Sequence, residues 1–266
     1  MKKIYLLLLL IFSISCEDVI QVEIDSAEPQ IVIEAHITNS LNNNFVKITE
    51  STEFYNPNTY KTISNAQVVI KENDKTEYLL EEISPGKYQH NQLVTNPGNK
   101  YSISIRVKEK LYSAESYTPI GLKIDSVNYQ IKDRPFNKEK YLELHVYFQD
   151  NPNQQDFARF VIYKNGEKIK KIFIYNDRLT NGNYINYFFF DFNDESFRLG
   201  DKIFVEMQSI NSQTYKYFRT LKNATAKQAK GPFGSAAPAN PTSNWNNNAL
   251  GYFSTFTVST SSIVLK

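Results

Sequence analysis

Ile31-Val32-Ile33-Glu34-Ala35-His36-Ile37-Thr38 alternates apolar and polar residues, the period-two pattern of a half-buried β-strand. Ile31, Ile33, Ala35 and Ile37 share one face, and Val32, Glu34, His36 and Thr38 the other. The same alternation recurs at Ala66-Val68-Ile70, Tyr101-Ile103-Ile105-Val107 and Leu142-Leu144-Val146-Phe148. Turn residues punctuate these runs: Asn73-Asp74, Pro85-Gly86, Asn96-Pro97-Gly98, Asn151-Pro152, Asn165-Gly166 and Asn181-Gly182. Short strands with frequent turns imply a mainly β protein built from antiparallel sandwiches.

A boundary is expected at Thr118-Pro119-Ile120-Gly121. Residues 30–118 hold about seven strands, enough for one immunoglobulin- or transthyretin-like sandwich. Residues 119–266 form a second β-domain, with strands expected at Phe157–Lys164, Lys170–Tyr175, Tyr187–Phe192, Lys202–Ser209 and Gly251–Ser259. Phe188-Phe189-Phe190 does not alternate, so that strand is expected to be covered on both faces. One helix is expected near 212–229: Ser212 caps it, Tyr215, Phe218 and Leu221 form its apolar stripe, and Gly231-Pro232 stops it. Its natural role is to cover a face of the second sheet. Gly231 to Ala249 has no periodicity, and a loop that long is usually functional or disordered.

The amino terminus decides the compartment. Met1-Lys2-Lys3 is a basic start, Ile4 to Phe12 is an unbroken apolar run, and Ser13-Ile14-Ser15 leads into Cys16. A secretory signal has this order, with an apolar stretch of about 7–15 residues; a spanning helix needs about 20. The small residues before Cys16 match a bacterial lipobox, with Ser13 in place of the usual Leu. Residues 1–15 are therefore read as a signal peptide and 16–29 as a tether lipidated at Cys16. Cys16 is the sole cysteine, and a lone thiol in an exported chain is explained by acylation. Stable anchoring needs two lipid signals, which a di- or triacylated cysteine supplies.

Of 30 basic residues, Lys2 and Lys3 belong to the leader, leaving 28 against 28 acidic ones. That balance removes the electrostatic footprint of a nucleic-acid binder.

Little in the remaining sequence points to chemistry. Glu34 and His36 share a strand face, but no paired-His or Cys spacing accompanies them, and a solvated face is expected. His90 lies in a turn region and His145 beside Glu143 on a polar strand face. Asp191-Phe192-Asn193-Asp194-Glu195 has alternating oxygens but lacks the glycine and distal glutamate of a calcium loop, and Asp150-Asn151-Pro152-Asn153 reads as a turn. No nucleophile elbow or carboxylate pair stands out, so no catalytic residue, metal or cofactor is assigned and the chain is read as a non-enzyme. Trp245, the sole tryptophan, sits among Asn244, Asn246, Asn247 and Asn248. It reads as a contact for a sugar ring or partner protein, or as a plug on the edge of the second sheet.

The mature chain resembles a Bacteroidota lipoprotein family known as domain of unknown function four-two-four-nine. The resemblance begins at Cys16-Glu17-Asp18 and Ile31-Val32-Ile33-Glu34-Ala35. It runs through Asn65-Ala66-Gln67-Val68-Val69-Ile70, Gly86-Lys87-Tyr88 and Pro97-Gly98-Asn99-Lys100-Tyr101-Ser102-Ile103, phrases shared with carboxypeptidase-regulatory-like and transthyretin-like sandwiches. More specific are Ile124-Asp125-Ser126-Val127-Asn128-Tyr129, Gly200-Asp201, and the closing Pro238-Ala239-Asn240-Pro241-Thr242-Ser243-Asn244 and Ala249-Leu250-Gly251-Tyr252-Phe253. Phe157-Ala158-Arg159 and Asn248 depart from the family's pattern. Glu17-Asp18 is similar to the acidic tract that directs such lipoproteins to the cell surface.

The resemblance implies an outer-membrane lipoprotein encoded beside a SusC-like TonB-dependent transporter. It would capture a glycan or peptide nutrient or support the transporter. The alternatives are a surface structural or adhesion lipoprotein without a transporter partner, or a surface hydrolase.

Overall fold

A computed structural model describes residues 29–41, 44–51, 61–134, 139–189, 197–225 and 240–266. Among them lie fifteen strands and one α-helix. The first seven strands are β1 (Ile31–Thr38), β2 (Phe45–Glu50), β3 (Gln67–Glu72), β4 (Thr76–Ser84), β5 (Lys87–Gln89), β6 (Lys100–Val107) and β7 (Lys110–Tyr117). Their alternation is the one read from the sequence: Ile33, Ala35, Val68, Ile70, Tyr101, Ile103 and Ile105 are all fully buried. In the three-residue connection between β3 and β4, Asn73 and Asp74 both take positive φ, 50° and 58°, and the Lys75 N–H closes the turn on the Glu72 carbonyl, a left-handed conformation that short polar side chains tolerate.

The chain then builds β8 (Ile124–Asp133), β9 (Lys140–Gln149), β10 (Phe157–Lys164), β11 (Glu167–Lys168), β12 (Phe173–Asn176), β13 (Tyr184–Phe189) and β14 (Lys202–Ser209). The helix α1 (Ser212–Thr225) and the long β15 (Leu250–Val264) follow. A three-stranded sheet, β13-β9-β8, faces the strands around β10 and β14. Between them lies a core of Leu144, Val146, Phe148, Phe160, Phe189 and Val205 with their neighbours. Aromatic edges fill it: Phe148 meets Tyr175 at 5.3 Å and Phe160 stacks on Tyr187 at 4.6 Å, favourable ring geometries.

β15 joins the two halves. Leu250 to Phe256 pairs parallel with β1, and Thr257 to Val264 pairs antiparallel with β14. One hydrogen-bonded path therefore runs β11-β10-β14-β15-β1-β2-β5-β4-β3-β6-β7. Apart from the β1–β15 pair, all pairing among the described residues is antiparallel. The close approach depends on Gly251, which sits at φ +93°; a Cβ there would lie 2.1 Å from the Ile33 carbonyl oxygen. Trp245, Ala249 and Phe253, within the expected 119–266 stretch, lie in the core formed by residues 33–114.

Two local expectations shift. Asn211 rather than Ser212 caps α1: its Oδ1 accepts the Thr214 N–H at 2.9 Å. The buried helix face is Thr214, Tyr217 and Phe218, with Tyr215 and Leu221 partly buried beside it against β10, β12 and β15. Residues 226–229 of the expected helix lie outside the described residues. Phe188 is 45% exposed because β13 alternates after all, turning Ile185, Tyr187 and Phe189 to the core; Phe190 is outside the described residues.

Candidate functional site

Trp245 is buried, not exposed. Its indole Nε1–H donates to the Ile33 carbonyl at 3.1 Å and its ring lies 6.2 Å from Phe253. It therefore plugs the first core rather than the edge of the second sheet, and it offers no stacking surface to a ligand. The amides around it are spent on backbone. Asn246 exchanges hydrogen bonds with Ser113 on β7, and Asn247 Nδ2 donates to Leu111 O at 2.7 Å. Asn244 bonds both N and O of Phe253. The run acts as a surrogate strand covering the β7 edge, which would otherwise offer unpaired donors and acceptors.

The histidines are packing residues. His36, expected on a solvated face, stands 4.2 Å from Phe45 and 5.8 Å from Phe256. His90 accepts the Gln92 N–H through Nδ1 at 3.2 Å and meets Tyr78 edge-on. His145 is buried on the outward side of β9, its Nδ1 2.8 Å from Asn186 Oδ1 and its Nε2 3.0 Å from Glu143 Oε1. Cys16 and the Asp191–Glu195 run lie outside the described residues.

Three strand ends converge unexpectedly. Asp150 closes β9, Asp156 precedes β10 and Asp177 follows β12, and all three are buried with carboxylate oxygens within 4.8 Å of one another. Asn151 to Asn153 does form the expected turn, Asn151 Oδ1 accepting the Asn153 N–H, but Asp150 points inward. It accepts Gly182 N–H at 2.8 Å, Asp156 accepts Asn151 N–H at 3.1 Å, and Asp177 accepts Asp156 N–H at 2.8 Å. No described ion pair reaches them. Burial pushes Asp156 up to about 6, the Asp150 and Asp177 charges adding to the effect and bonds from Gln154 and Asn151 opposing it. Asp150 is raised for the same leading reason. The group buckles three turns together; nothing in sequence spacing announces it, because the aspartates come from separate loops.

The outward face of β13-β9-β8 carries a row of rings. Tyr184 and Tyr147 lie 6.3 Å apart and 20° from parallel, Tyr147 and His145 6.1 Å and 16°, and Phe188 stands 6.0 Å beyond His145. A bulge between Ile124 and Ser126 inserts Asp125 into β8. Partial desolvation and the Asp125 carboxylate beside it raise the Tyr184 phenol.

These features define a mainly β protein of sandwich architecture with one helix among its described residues. The chain belongs to the family described as Domain of unknown function (DUF4249), whose model matches residues 17–262. Comparison with curated proteins finds no match. Among the described residues no helix is long and apolar enough to cross a membrane.

Proposed function

We propose that this chain is an outer-membrane lipoprotein of Bacteroidota type, held by acyl chains on Cys16. On this reading it serves as a non-catalytic accessory or ligand-capturing component of a TonB-dependent nutrient-uptake system. The observation that carries the anchoring is the leader itself: a basic start, an apolar run and small residues ending at the sole cysteine. The family match begins one residue later, at position 17, as suits a body that starts where the leader stops. The transporter partnership follows from the resemblance to lipoproteins encoded beside SusC-like barrels.

Mild detergent extraction of native membranes, with capture of the lipoprotein, should recover a SusC-like barrel with it. Recovery of the protein alone would favour a surface structural or adhesion role. Replacing Cys16 by Ala should leave the β-body folded and move it from the membrane to the soluble fraction. Continued palmitate labelling of that variant would refute the anchor.

A further inference from the structure

The ring row on the outer face of the three-stranded sheet has no part in either core. Tyr184 is 58% exposed and Phe188 45%, while Tyr147 is half-buried between them. His145 holds the middle of the row fixed, since Asn186 engages one ring nitrogen and Glu143 approaches the other. Large rings on a rigid strand lose little freedom when a ligand settles on them. Between and beside the rings stand amides: Asn128 opposite His145, Asn186 opposite Tyr147 and Gln149 opposite Tyr184, all three exposed.

We propose that this face is a glycan-binding platform, with Tyr184 and Tyr147 stacking on successive sugar rings of a neutral polysaccharide. A pyranose presents C–H groups on its faces and hydroxyls around its rim, so it needs flat apolar surfaces with donors and acceptors close alongside. The rings supply the flat surfaces; Asn128, the Nδ2 of Asn186 and the Oε1 of Gln149 supply the polar groups, while Gln149 Nε2 is used on the Asp150 and Gly182 carbonyls and Asn186 Oδ1 on His145.

Charge selects within the class. Residues 125–130, 143–149 and 184–189, which carry the rings, contain no Lys or Arg; Lys132, on the same face of β8, stands opposite Tyr141, four residues along the strand from Asn128 and away from Tyr147 and Tyr184. The carboxylates present are occupied locally, Glu143 by His145 and Asp125 by the Tyr184 hydroxyl. An anionic polymer would meet acceptors without a counter-charge, whereas a neutral one pays no such penalty. The assignment deepens the ligand-capturing reading above by naming a site and a ligand class, and it moves the sugar-stacking role from Trp245 to exposed rings.

The test uses the full-length protein in a sugar-free detergent, run on native gels containing dissolved hydroxyethylcellulose, glucomannan or dextran, with heparin as the polyanion. At least one neutral polymer should retard the protein. Tyr184→Ala and Tyr147→Ala should each weaken that retardation about tenfold, the scale of one ring contact. Leu79→Ala, on an exposed position of β4, should leave it unchanged. Because Tyr184 is exposed, its variant should keep the wild-type melting temperature, which serves as the folding control. No retardation by any neutral polymer, retardation of both tyrosine variants as strong as that of the wild type, or retardation by heparin alone would overturn the proposal. Transporter recovery alongside a negative gel result would remove the platform and leave the anchoring untouched.

Discussion

Trp245 donates its indole N–H to the main-chain carbonyl of Ile33, 212 positions away. The bond pins the asparagine-rich run to the first strand of the molecule. Trp245→Ala removes a core ring as well as the bond and should cost about 4 kcal/mol. Trp245→Phe retains most of the packing, loses the hydrogen bond to Ile33 and should cost about 1 kcal/mol. Urea denaturation followed by fluorescence of the tyrosines orders the two variants; equal midpoints would show the ring to be peripheral.

Gly251 gives a sharper contrast. At φ +93° and 2.1 Å from the Ile33 oxygen to any added Cβ, Gly251→Ala should destabilise by about 3 kcal/mol or more. Gly166 has a similar φ, +89°, with open space around it, so Gly166→Ala should cost only about 1 kcal/mol. Thermal melts by circular dichroism compare them directly. A matched drop would mean that backbone strain, not the crowding between β1 and β15, sets the cost.

Glu72 supports the first core by accepting hydrogen bonds. Burial raises its carboxyl, but donation by Tyr101 at 2.6 Å, Asn96 at 2.9 Å, Asn99 at 2.7 Å and Tyr78 at 3.2 Å outweighs that and holds it below its ordinary 4.5. A depressed carboxyl contributes stability that is present above its unfolded value and lost as pH falls through the folded one. The stability gap between wild type and Glu72→Gln should therefore be widest near neutrality and close below about pH 4.5. A gap independent of pH would assign the effect to shape rather than charge.

Asp156 acts in the opposite sense. Its folded value of about 6 lies above the ordinary 3.8, so its contribution is complete below about pH 4 and disappears as pH rises through 6. On the order of 2 kcal/mol should be lost across that window. Asp156→Asn, which mimics the protonated carboxyl, should flatten the dependence of the melting temperature on pH from 4 to 7. An unchanged slope would assign the dependence to Asp150, whose carboxyl burial also raises.

The fold was legible where physics is local. Alternation in Ile33, Val68, Ile103 and Val146 names the inward face because side-chain direction in a strand has period two, and Asn73-Asp74 names its turn through the positive φ that both residues tolerate. What stayed hidden depends on distant partners. The pairing of β15 with β1 joins residues more than 200 positions apart with no turn to set the register. Trp245 read as exposed because its neighbours are polar, yet their amides are turned to the backbone of β7. The three aspartates likewise come from separate loops, and Tyr184 joins Tyr147 and His145 of β9 from a different strand, β13; composition holds no record of which ring faces which.

β15 also orders events in time. A polypeptide emerges amino end first, and lobes generally fold as they emerge. Here residues 250–256 complete the sheet and core begun by residues 31–117, so the lobe nearest the proposed anchor stays open along β1 until nearly the whole chain has been delivered. A chain halted after β14 would hold an unfinished first lobe, its β1 edge bare to any strand that drifts past. Completion of the first lobe therefore hangs on one late event, the seating of β15 beside β1.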